Sequence, residues 1–200
     1  MHNTKRLILA SQSPRRLSLL RQIGLQVEVF PSNLSEDFDP SLSPAENAKS
    51  LALAKATDVG RKIEEAIIIG ADTIVEIDNV LLPKPATPSD AIRMLEMLSG
   101  RTHTVLTGFA LRDRPSDLYV TDVESTRVTF RTIPHAEIEE YVAGGSPMDK
   151  AGAYGIQDDY GAVFVSCIDG CFYNVVGFPL SKFYTTLQQF QLELMKVHGC

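Results

Sequence analysis

Side chains suited to phosphate chemistry stand at the start of a helix-like segment near the N-terminus. Ser13 and Pro14 are residue types preferred at the N-cap and the first position of a helix. Backbone N–H groups at such a start attract anions, and Arg15 and Arg16 add guanidinium donors that match phosphate oxygens. A solvated basic helix start is the alternative interpretation. The segment lacks a glycine-rich turn, so it is not a Walker loop.

A single carboxylate follows a strongly apolar run in the middle of the chain. Asp72 lies in the segment Gly70–Thr73, directly after Ile67–Ile69, which predicts a position near the end of a buried strand. Ligands of open α/β sheets bind at strand ends, so Asp72 could activate a water molecule or hold a metal ion. A turn aspartate that caps local N–H groups is the alternative.

Two further segments carry polar groups among prolines and glycines. Lys84 stands between two prolines, which hold it on a stiff stretch, although a surface loop explains it equally well. In the segment from Asp149 to Gln157, Gly152 and Gly155 allow close approach of the backbone to a ligand. Gln157 offers a donor and an acceptor suited to reading a base edge. A flexible loop with a weak surface ion pair between Asp149 and Lys150 is the alternative.

Together these groups match the requirements of triphosphate hydrolysis, which depends on positioning and on neutralising negative charge. Lys55 lies inside a helix-like segment, where exposure to solvent is the ordinary expectation for a lysine. The candidate cations are Arg15, Arg16, Lys55, Lys84 and Lys150, and the candidate acids are Asp72 and Asp149. Spacing along the chain does not establish that these groups converge.

The elements that must position these groups alternate between strands and helices. The predicted strands are 7–10, 27–30, 66–70, 104–111, 119–132 and 162–168, with a hairpin over 74–82 that turns at Asp78 and Asn79. The predicted helices are 14–23, 43–61, 87–100, 134–142 and 179–196, with a loop over 144–155. Two long neighbouring strands favour a mixed α/β sheet over a purely parallel one. We predict one compact domain over residues 1–200.

Composition excludes several classes of protein. The net charge of −6 disfavours a nucleic-acid binder, and no apolar run reaches the roughly 18 residues of a membrane span. Three cysteines make no disulfide framework, so we expect reduced thiols and a cytoplasmic location. Cys167 lies in an apolar run and is predicted to be buried and inert. The four histidines are scattered, which disfavours a structural zinc site.

The four segments, together with three further runs, resemble in register the motifs of the Maf family of nucleoside triphosphate pyrophosphatases. The matching runs are 9–16, 70–75, 82–85, 98–103, 128–132, 149–157 and 175–180, and the resemblance extends from Leu7 to about Phe190. It implies a Maf/ITPase-like fold, in which an elongated mixed sheet is flanked by helices and two lobes surround a deep cleft. It also implies attack of water on the α-phosphorus with release of pyrophosphate.

The resemblance assigns roles to individual residues. Asp72 matches the proton acceptor, and the phosphate-binding and catalytic positions are matched by Ser13, Arg15, Arg16, Lys55 and Lys84. Glu36 matches an acidic position that, with Asp72, would hold a divalent cation, Mg²⁺ or Mn²⁺. Lys150 belongs to the substrate-binding set.

Members of the family with Gly-Ile-Gln after the tyrosine form the dTTP/UTP group, and Gly155-Ile156-Gln157 fits that pattern. The specificity positions would be Arg15, Thr73 and Gln157. Asp158 and Asp159 depart from the small residues common at their positions, and carboxylates there would repel a triphosphate unless they face away or hold the metal. The resemblance also implies a homodimer. A non-enzymatic nucleotide-binding regulator of septum formation and cell division is the alternative function, and a purine substrate is a third.

Overall fold

The computed structural model describes residues 5–157 and 160–197. The strands are β1 (Leu7–Leu9), β2 (Val27–Val29), β3 (Ala66–Ile77), β4 (Val80–Leu82), β5 (Thr102–Arg114), β6 (Tyr119–Phe130) and β7 (Val165–Asp169). The helices are α1 (Pro14–Gln22), α2 (Pro44–Gly60), α3 (Pro88–Leu98), α4 (His135–Ala143), α5 (Phe172–Val176) and α6 (Leu180–Val197). Short 3₁₀ turns occupy Ser146–Asp149, Ala151–Ala153 and Tyr160–Phe164. The question raised by Asp158 and Asp159 lies outside the described residues.

The strands form one seven-stranded mixed sheet. Its order is β2-β1-β3-β5-β6-β7, and β4 pairs with β3 outside this path. β1 runs parallel to both β2 and β3, whereas β3 with β4 and β6 with β7 are antiparallel. The predicted mixed α/β class is therefore confirmed. The two lobes and the cleft of the expected fold stay predictions, as does the single domain over residues 1–200.

The chain divides into two compact units. Unit 1 contains Met1–Asp72, Thr107–Glu124 and Gly177–Cys200, and unit 2 contains Thr73–Leu106 and Ser125–Val176. Within residues 5–157 and 160–197, no helix has the length and apolar character needed to cross a membrane.

In unit 1, β1 and the first part of β3 are buried on both faces. On one face, Ile8 and Ile68 pack in a cluster with Ala52, Ala56 and Val59 of α2. The alternate residues of β1 and β3 are buried as well, because successive side chains of a strand point to opposite faces. On β5, Phe109 contacts Phe178 and Phe183, with ring centroids 6.2 and 5.6 Å away. Continuous apolar runs are what a doubly covered sheet requires.

The local signals that begin helices behave as the sequence predicts. Ser13 caps α1 by accepting a hydrogen bond from the backbone N–H of Arg16. Ser43 with Glu46, and Thr87 with Asp90, form complete capping boxes at α2 and α3.

Several predicted strand boundaries are wrong, and the strand predicted at 104–111 runs from Thr102 to Arg114 as β5. The strand predicted at 66–70 runs on to Ile77 as β3, so Asp72 lies inside a strand rather than at its end. The parallel pairing with β1 does stop at Ile69, and the antiparallel partner β4 supports the continuation. The turn at Asp78 and Asn79 is confirmed, since both residues have positive φ.

The strand predicted at 162–168 is also wrong at its start. Residues 160–164 form a 3₁₀ turn, and β7 begins only at Val165. β7 is the last strand of the sheet order and pairs with β6. Cys167 is exposed, which contradicts the predicted buried thiol, because an edge strand leaves part of its surface uncovered. The loop predicted at 144–155 contains two 3₁₀ turns, and α5 was not predicted.

Candidate active site

A buried lysine joins two carboxylates in unit 1. The Nζ atom of Lys55 lies 2.6 Å from Oδ1 of Asp72 and 2.6 Å from Oε1 of Glu36. The side chains of Lys55 and Asp72 are 9% and 6% exposed, and that of Glu36 is 39% exposed. A lysine and an aspartate with so little exposure require each other, because an unpaired charge in the interior carries a large desolvation cost. The expectation that Lys55 is solvent-exposed is therefore wrong.

Small residues bring α2 close enough to the sheet for this contact. A Cβ atom on Gly70 would lie 2.0 Å from the carbonyl oxygen of Ala52, and one on Gly108 would lie 2.4 Å from that of Ala48. Only glycine fits at these two strand positions while the helix keeps its place. The alanines on the facing side of α2 complete the close approach, and Lys55 lies on the same helix. Tight packing of helix on sheet thus places the ammonium group beside Asp72.

Arg16 links three backbone segments of unit 1. Its Nε atom donates to the carbonyl oxygen of Gly177 at 2.9 Å, and Nη1 donates to that of Ala71 at 2.9 Å. Nη1 also lies 3.2 Å from Oγ of Ser11. Arg16 therefore fixes the backbone immediately before Asp72 relative to the start of α1. This geometry supports an anchoring role, and direct binding of phosphate by Arg16 stays a prediction.

The charge on Arg16 is surrounded by other charges of the same unit. Burial lowers the pKa of the Arg16 guanidinium, and Arg15 acts in the same direction. The carboxylates of Asp72 and Glu36 oppose that effect by favouring the charged form. Arg15, Arg16, Asp72 and Glu36 thus lie within one electrostatic neighbourhood, together with Ser13 at the N-cap of α1. The structure therefore brings together six of the predicted site residues: Ser13, Arg15, Arg16, Glu36, Lys55 and Asp72.

The remaining predicted site residues belong to unit 2. Thr73 follows Asp72 in β3, and Lys84 is exposed in the segment between β4 and α3. Gly152 contacts the residue before Lys84, since its backbone N–H donates to the carbonyl oxygen of Pro83, with an N–O distance of 3.3 Å. A Cβ atom on Gly152, which has φ of +68°, would lie 3.0 Å from Cγ1 of Val75. The segment predicted to approach a ligand therefore packs against β3 and the lysine-bearing segment.

Lys150 and Gln157 occupy different settings within that segment. Nζ of Lys150 contacts the carbonyl oxygen of Ser146 and lies 2.7 Å from Oδ1 of Asp149. The ammonium thus serves a local turn, and its predicted contact with substrate stays a prediction. Oε1 of Gln157 is buried and has no hydrogen-bond partner among the described residues. A buried acceptor without a donor is costly, and a ligand that supplies a donor removes the cost.

The carboxylates of unit 1 suit a hard divalent cation. Mg²⁺ is commonly held by one or two carboxylates together with phosphate oxygens of the substrate, and Asp72 and Glu36 supply such a pair around Lys55. Among residues 5–157 and 160–197, no group of three His, Cys, Asp or Glu side chains forms a metal site of its own. Asp72 and Glu36 therefore fit a cation whose remaining ligands include phosphate oxygens of the substrate.

Some features of the site were absent from the sequence predictions. Gly70 and Gly108 allow the close approach of α2, and their only signal was glycine inside an apolar strand pattern. Ser11 is buried and accepts from the N–H of Ser13 at 3.2 Å, which continues the cap of α1. His103 pairs with Tyr154 in unit 2, and no spacing in the sequence indicates that contact.

Comparisons with known proteins identify the family of the chain. The model of the family described as "Maf-like protein" matches residues 6–190, so the chain belongs to the Maf family. A relative named dTTP/UTP pyrophosphatase from Caldicellulosiruptor bescii is 44% identical over 96% of this chain and 98% of its own length. Another of the same name from Bacillus pumilus is 47% identical over 92% and 96% of the two chains. The solved structure of the Staphylococcus aureus Ham1 protein covers 63% of this chain and 72% of its own, with 15% identity and a TM-score of 0.44.

Proposed function

We propose that this protein hydrolyses dTTP and UTP to the nucleoside monophosphate and pyrophosphate. The observation that carries the proposal is the buried pair of Lys55 and Asp72, which lies within the region matched by the Maf family. Relatives covering nearly the whole chain are named dTTP/UTP pyrophosphatase, which supports the choice of substrates.

In the proposed reaction, the oxygen of a water molecule bonds to the α-phosphorus. The bond from that phosphorus to the oxygen bridging the α- and β-phosphates breaks, and pyrophosphate leaves with the bonding electrons. Asp72 accepts the proton that the water loses. Lys55 holds the Asp72 carboxylate in place through the 2.6 Å contact and offsets negative charge in the transition state.

Phosphate binding is assigned to the start of α1 and to Lys84. The backbone N–H groups at the N-terminus of α1, capped by Ser13, favour an anion, and Arg15 adds a charged donor. Lys84 is exposed on a proline-flanked segment, where binding costs little conformational entropy. Arg16 contributes mainly by fixing the carbonyl of Ala71, next to the proton acceptor.

Base selection is assigned to Gln157, with Thr73 as a second specificity position. Thymine and uracil present an N3–H donor, whereas cytosine presents an acceptor at N3. The buried Oε1 of Gln157, which has no hydrogen-bond partner among the described residues, matches the donor of thymine and uracil. A ligand that leaves such an acceptor unpaired is rejected strongly, because the cost of the buried polar group is then not removed.

A divalent cation, Mg²⁺ or Mn²⁺, is proposed as the cofactor, held by Asp72 and Glu36 with the substrate. When bound, such an ion polarises phosphate oxygens and lowers the pKa of bound water. Glu36→Gln should then raise the concentration of metal needed for half-maximal activity. Unchanged metal dependence in that variant would remove Glu36 from the site.

The first test is pyrophosphate release from dTTP, UTP, dCTP, CTP, GTP and ATP, with and without Mg²⁺ or Mn²⁺. We expect metal-dependent release mainly from dTTP and UTP. Asp72→Asn should lower kcat by about 10²-fold or more, since a general base contributes roughly 10²–10⁴-fold. The matched control is Asp58→Asn, which alters an α2 carboxylate paired with Lys62 and Ser32 and should keep full turnover.

Each outcome of this test leads to a definite conclusion. Near-normal turnover of Asp72→Asn would remove Asp72 from the mechanism. Pyrophosphate release mainly from a nucleotide with another base would support the proposed reaction and refute the assignment of base selection to Gln157. If folded protein binds nucleotides and hydrolyses none of them, the non-enzymatic regulator of septum formation and cell division becomes the better account.

The assembly is proposed from the family resemblance and the location from the composition. The family resemblance supports a homodimer, and three cysteines with no disulfide pattern support a cytoplasmic location. Light scattering during size-exclusion chromatography tests the first, and a molar mass of one chain at micromolar concentration would contradict it. Fractionation of the source cells tests the second.

A further inference from the structure

Unit 2 contains a buried polar pair to which the proposed mechanism gives no role. His103, at the start of β5, is 2% exposed, and its Nε2 atom lies 2.7 Å from the hydroxyl oxygen of Tyr154. Phe130 meets both rings edge-on, at 4.9 Å from His103 and 4.7 Å from Tyr154. The contact pairs Nε2 of His103 with the Tyr154 hydroxyl, whereas Nδ1 of His103 is buried with no hydrogen-bond partner among the described residues. Loss of the contact would leave further polar atoms unpaired inside an aromatic cluster, which favours the observed arrangement.

The pair holds the end of a segment whose backbone is unfavourable by itself. Ala153 has φ of +61° and is fully buried, and Gly152 before it also has positive φ. A non-glycine residue in the left-handed region costs about 1 kcal/mol or more, so surrounding contacts must hold it there. Tyr154 follows directly in an extended conformation, with its side chain fixed by His103 and Phe130.

Tyr154 lies close in the chain to the residue that the proposed function assigns to the base. Ile156 is buried, and Gln157 follows with a buried Oε1 that accepts no hydrogen bond from the residues the structure describes. Gln157 is three residues from Tyr154, so a change in the anchoring of the tyrosine moves the glutamine amide. A hydrogen bond to a base weakens steeply when the amide is misplaced by even 1 Å or turned away.

We propose that His103 is a positioning residue for base selection: by hydrogen bonding to Tyr154 it fixes Gln157 where its amide discriminates thymine and uracil from cytosine. This inference rests on the proposed function, because it requires a base that Gln157 reads. His103 touches neither the substrate nor the reacting atoms in this scheme.

The test compares kcat/KM for dTTP with kcat/KM for dCTP in four single variants and one double variant. His103→Leu removes the hydrogen bond, and Tyr154→Phe removes it from the other side with a smaller change of shape. His103→Gln carries an amide that can reach the tyrosine hydroxyl without a titrating ring. Ile138→Val shortens a buried side chain on α4 and controls for lost stability alone.

We expect the preference for dTTP to fall about 10-fold or more in His103→Leu and in Tyr154→Phe, mainly through a higher KM for dTTP. His103→Gln should restore most of the preference lost in His103→Leu. The double variant His103→Leu/Tyr154→Phe should lose no more than either single variant, because both remove the same contact. Ile138→Val should keep the wild-type ratio.

Tyr154→Phe could instead keep the wild-type ratio of kcat/KM for dTTP and dCTP, with the rates for both nucleotides lowered in parallel. That result would show that the contact between His103 and Tyr154 has a purely structural role. Tyr154→Phe decides the matter if His103→Leu does not fold. If the wild type binds nucleotides without hydrolysing them, the proposed function fails separately, and the ratio of Kd values for dTTP and dCTP replaces kcat/KM. Wild-type protein that binds neither nucleotide would overturn both proposals.

Discussion

Protonation of His103 is expected to destabilise the protein in mild acid. Burial lowers the pKa of His103 to about 4, from 6.5 for an imidazole in water. The ring is almost completely enclosed, and its hydrogen bond to Tyr154 offers no negative charge to an imidazolium. The unfolded state therefore binds the proton more readily than the folded state between pH 6.5 and 4, so stability falls as the pH falls through that window.

The size of the effect follows from the two pKa values. The full loss below pH 4 amounts to about 3 kcal/mol, since each pKa unit corresponds to roughly 1.4 kcal/mol. Between pH 7.5 and 5.0 the unfolded imidazole becomes nearly fully protonated and the folded one only about a tenth, which integrates to about 2 kcal/mol. Carboxylates with a lowered pKa, such as those of Glu46 and Asp58, lose their contribution mostly below this window.

The perturbation is His103→Gln, which replaces the titrating ring by a neutral amide. Urea unfolding of wild type and variant at pH 7.5, 6.5, 5.7 and 5.0 gives the free energy of unfolding of each. Any constant difference at pH 7.5 cancels, and the wild type should lose about 2 kcal/mol more than the variant on going to pH 5.0. NMR titration of the imidazole should also show His103 neutral down to about pH 4.

Parallel pH curves for wild type and His103→Gln would refute this reasoning. They would mean that the folded imidazole titrates near its ordinary pKa and is not desolvated. An NMR pKa near 6.5 for His103 would contradict the buried contact with Tyr154 directly. A steeper loss in the variant would have the wrong sign for a buried neutral histidine.

Three further predictions concern unit 1. Lys55→Ala should lower the free energy of unfolding at pH 7.5 by about 3 kcal/mol, because it leaves the buried Asp72 carboxylate without its ammonium partner. Urea unfolding measures this difference. A decrease below about 1 kcal/mol would contradict the burial of the pair. Arg15→Ala should raise KM for dTTP with an unchanged Tm, whereas Arg16→Ala should lower both Tm and kcat because it releases two backbone carbonyls. Steady-state kinetics measures KM and kcat, and calorimetry measures Tm. Equal effects of the two substitutions would refute the division of roles between Arg15 and Arg16. Gly70→Ala places a methyl group within about 2.0 Å of a backbone oxygen of α2 and should lower the free energy of unfolding by about 3 kcal/mol. The control Gly60→Ala meets only ordinary contacts and should change the free energy of unfolding little. An unchanged free energy of unfolding in Gly70→Ala would contradict the close approach of α2.

The features predicted correctly from the sequence are those that neighbouring residues determine. Ser13, Ser43 and Thr87 each accept a hydrogen bond from the backbone N–H three residues further on. The starts of α1, α2 and α3 are therefore determined by neighbouring residues. The positive φ of Asp78 and Asn79 in a two-residue turn is equally local. The family resemblance depends on short motifs and was confirmed over residues 6–190.

The wrong predictions concern surroundings that distant segments supply. The strand predicted at 66–70 and the first arm of the hairpin predicted at 74–82 form one strand, β3, which lies between β1 and β5 in the sheet, and no pattern within 66–70 contains that information. Cys167 was predicted to be buried from its apolar neighbours, yet its strand lies at the end of the sheet order. Local hydrophobicity does not reveal whether a strand is central or at an edge.

By itself, the sequence determined the helix starts, the turns, the mixed α/β class and the membership of the Maf family. Only the tertiary structure decided that Lys55 is buried between two carboxylates, that Arg16 reaches carbonyls 55 and 161 residues away, and that His103 meets Tyr154. Caps and turns are hydrogen bonds between near neighbours, so residue types predict them. Burial and long-range contacts depend on how helices and strands pack, because the same lysine or histidine is solvated or enclosed according to what lies against it.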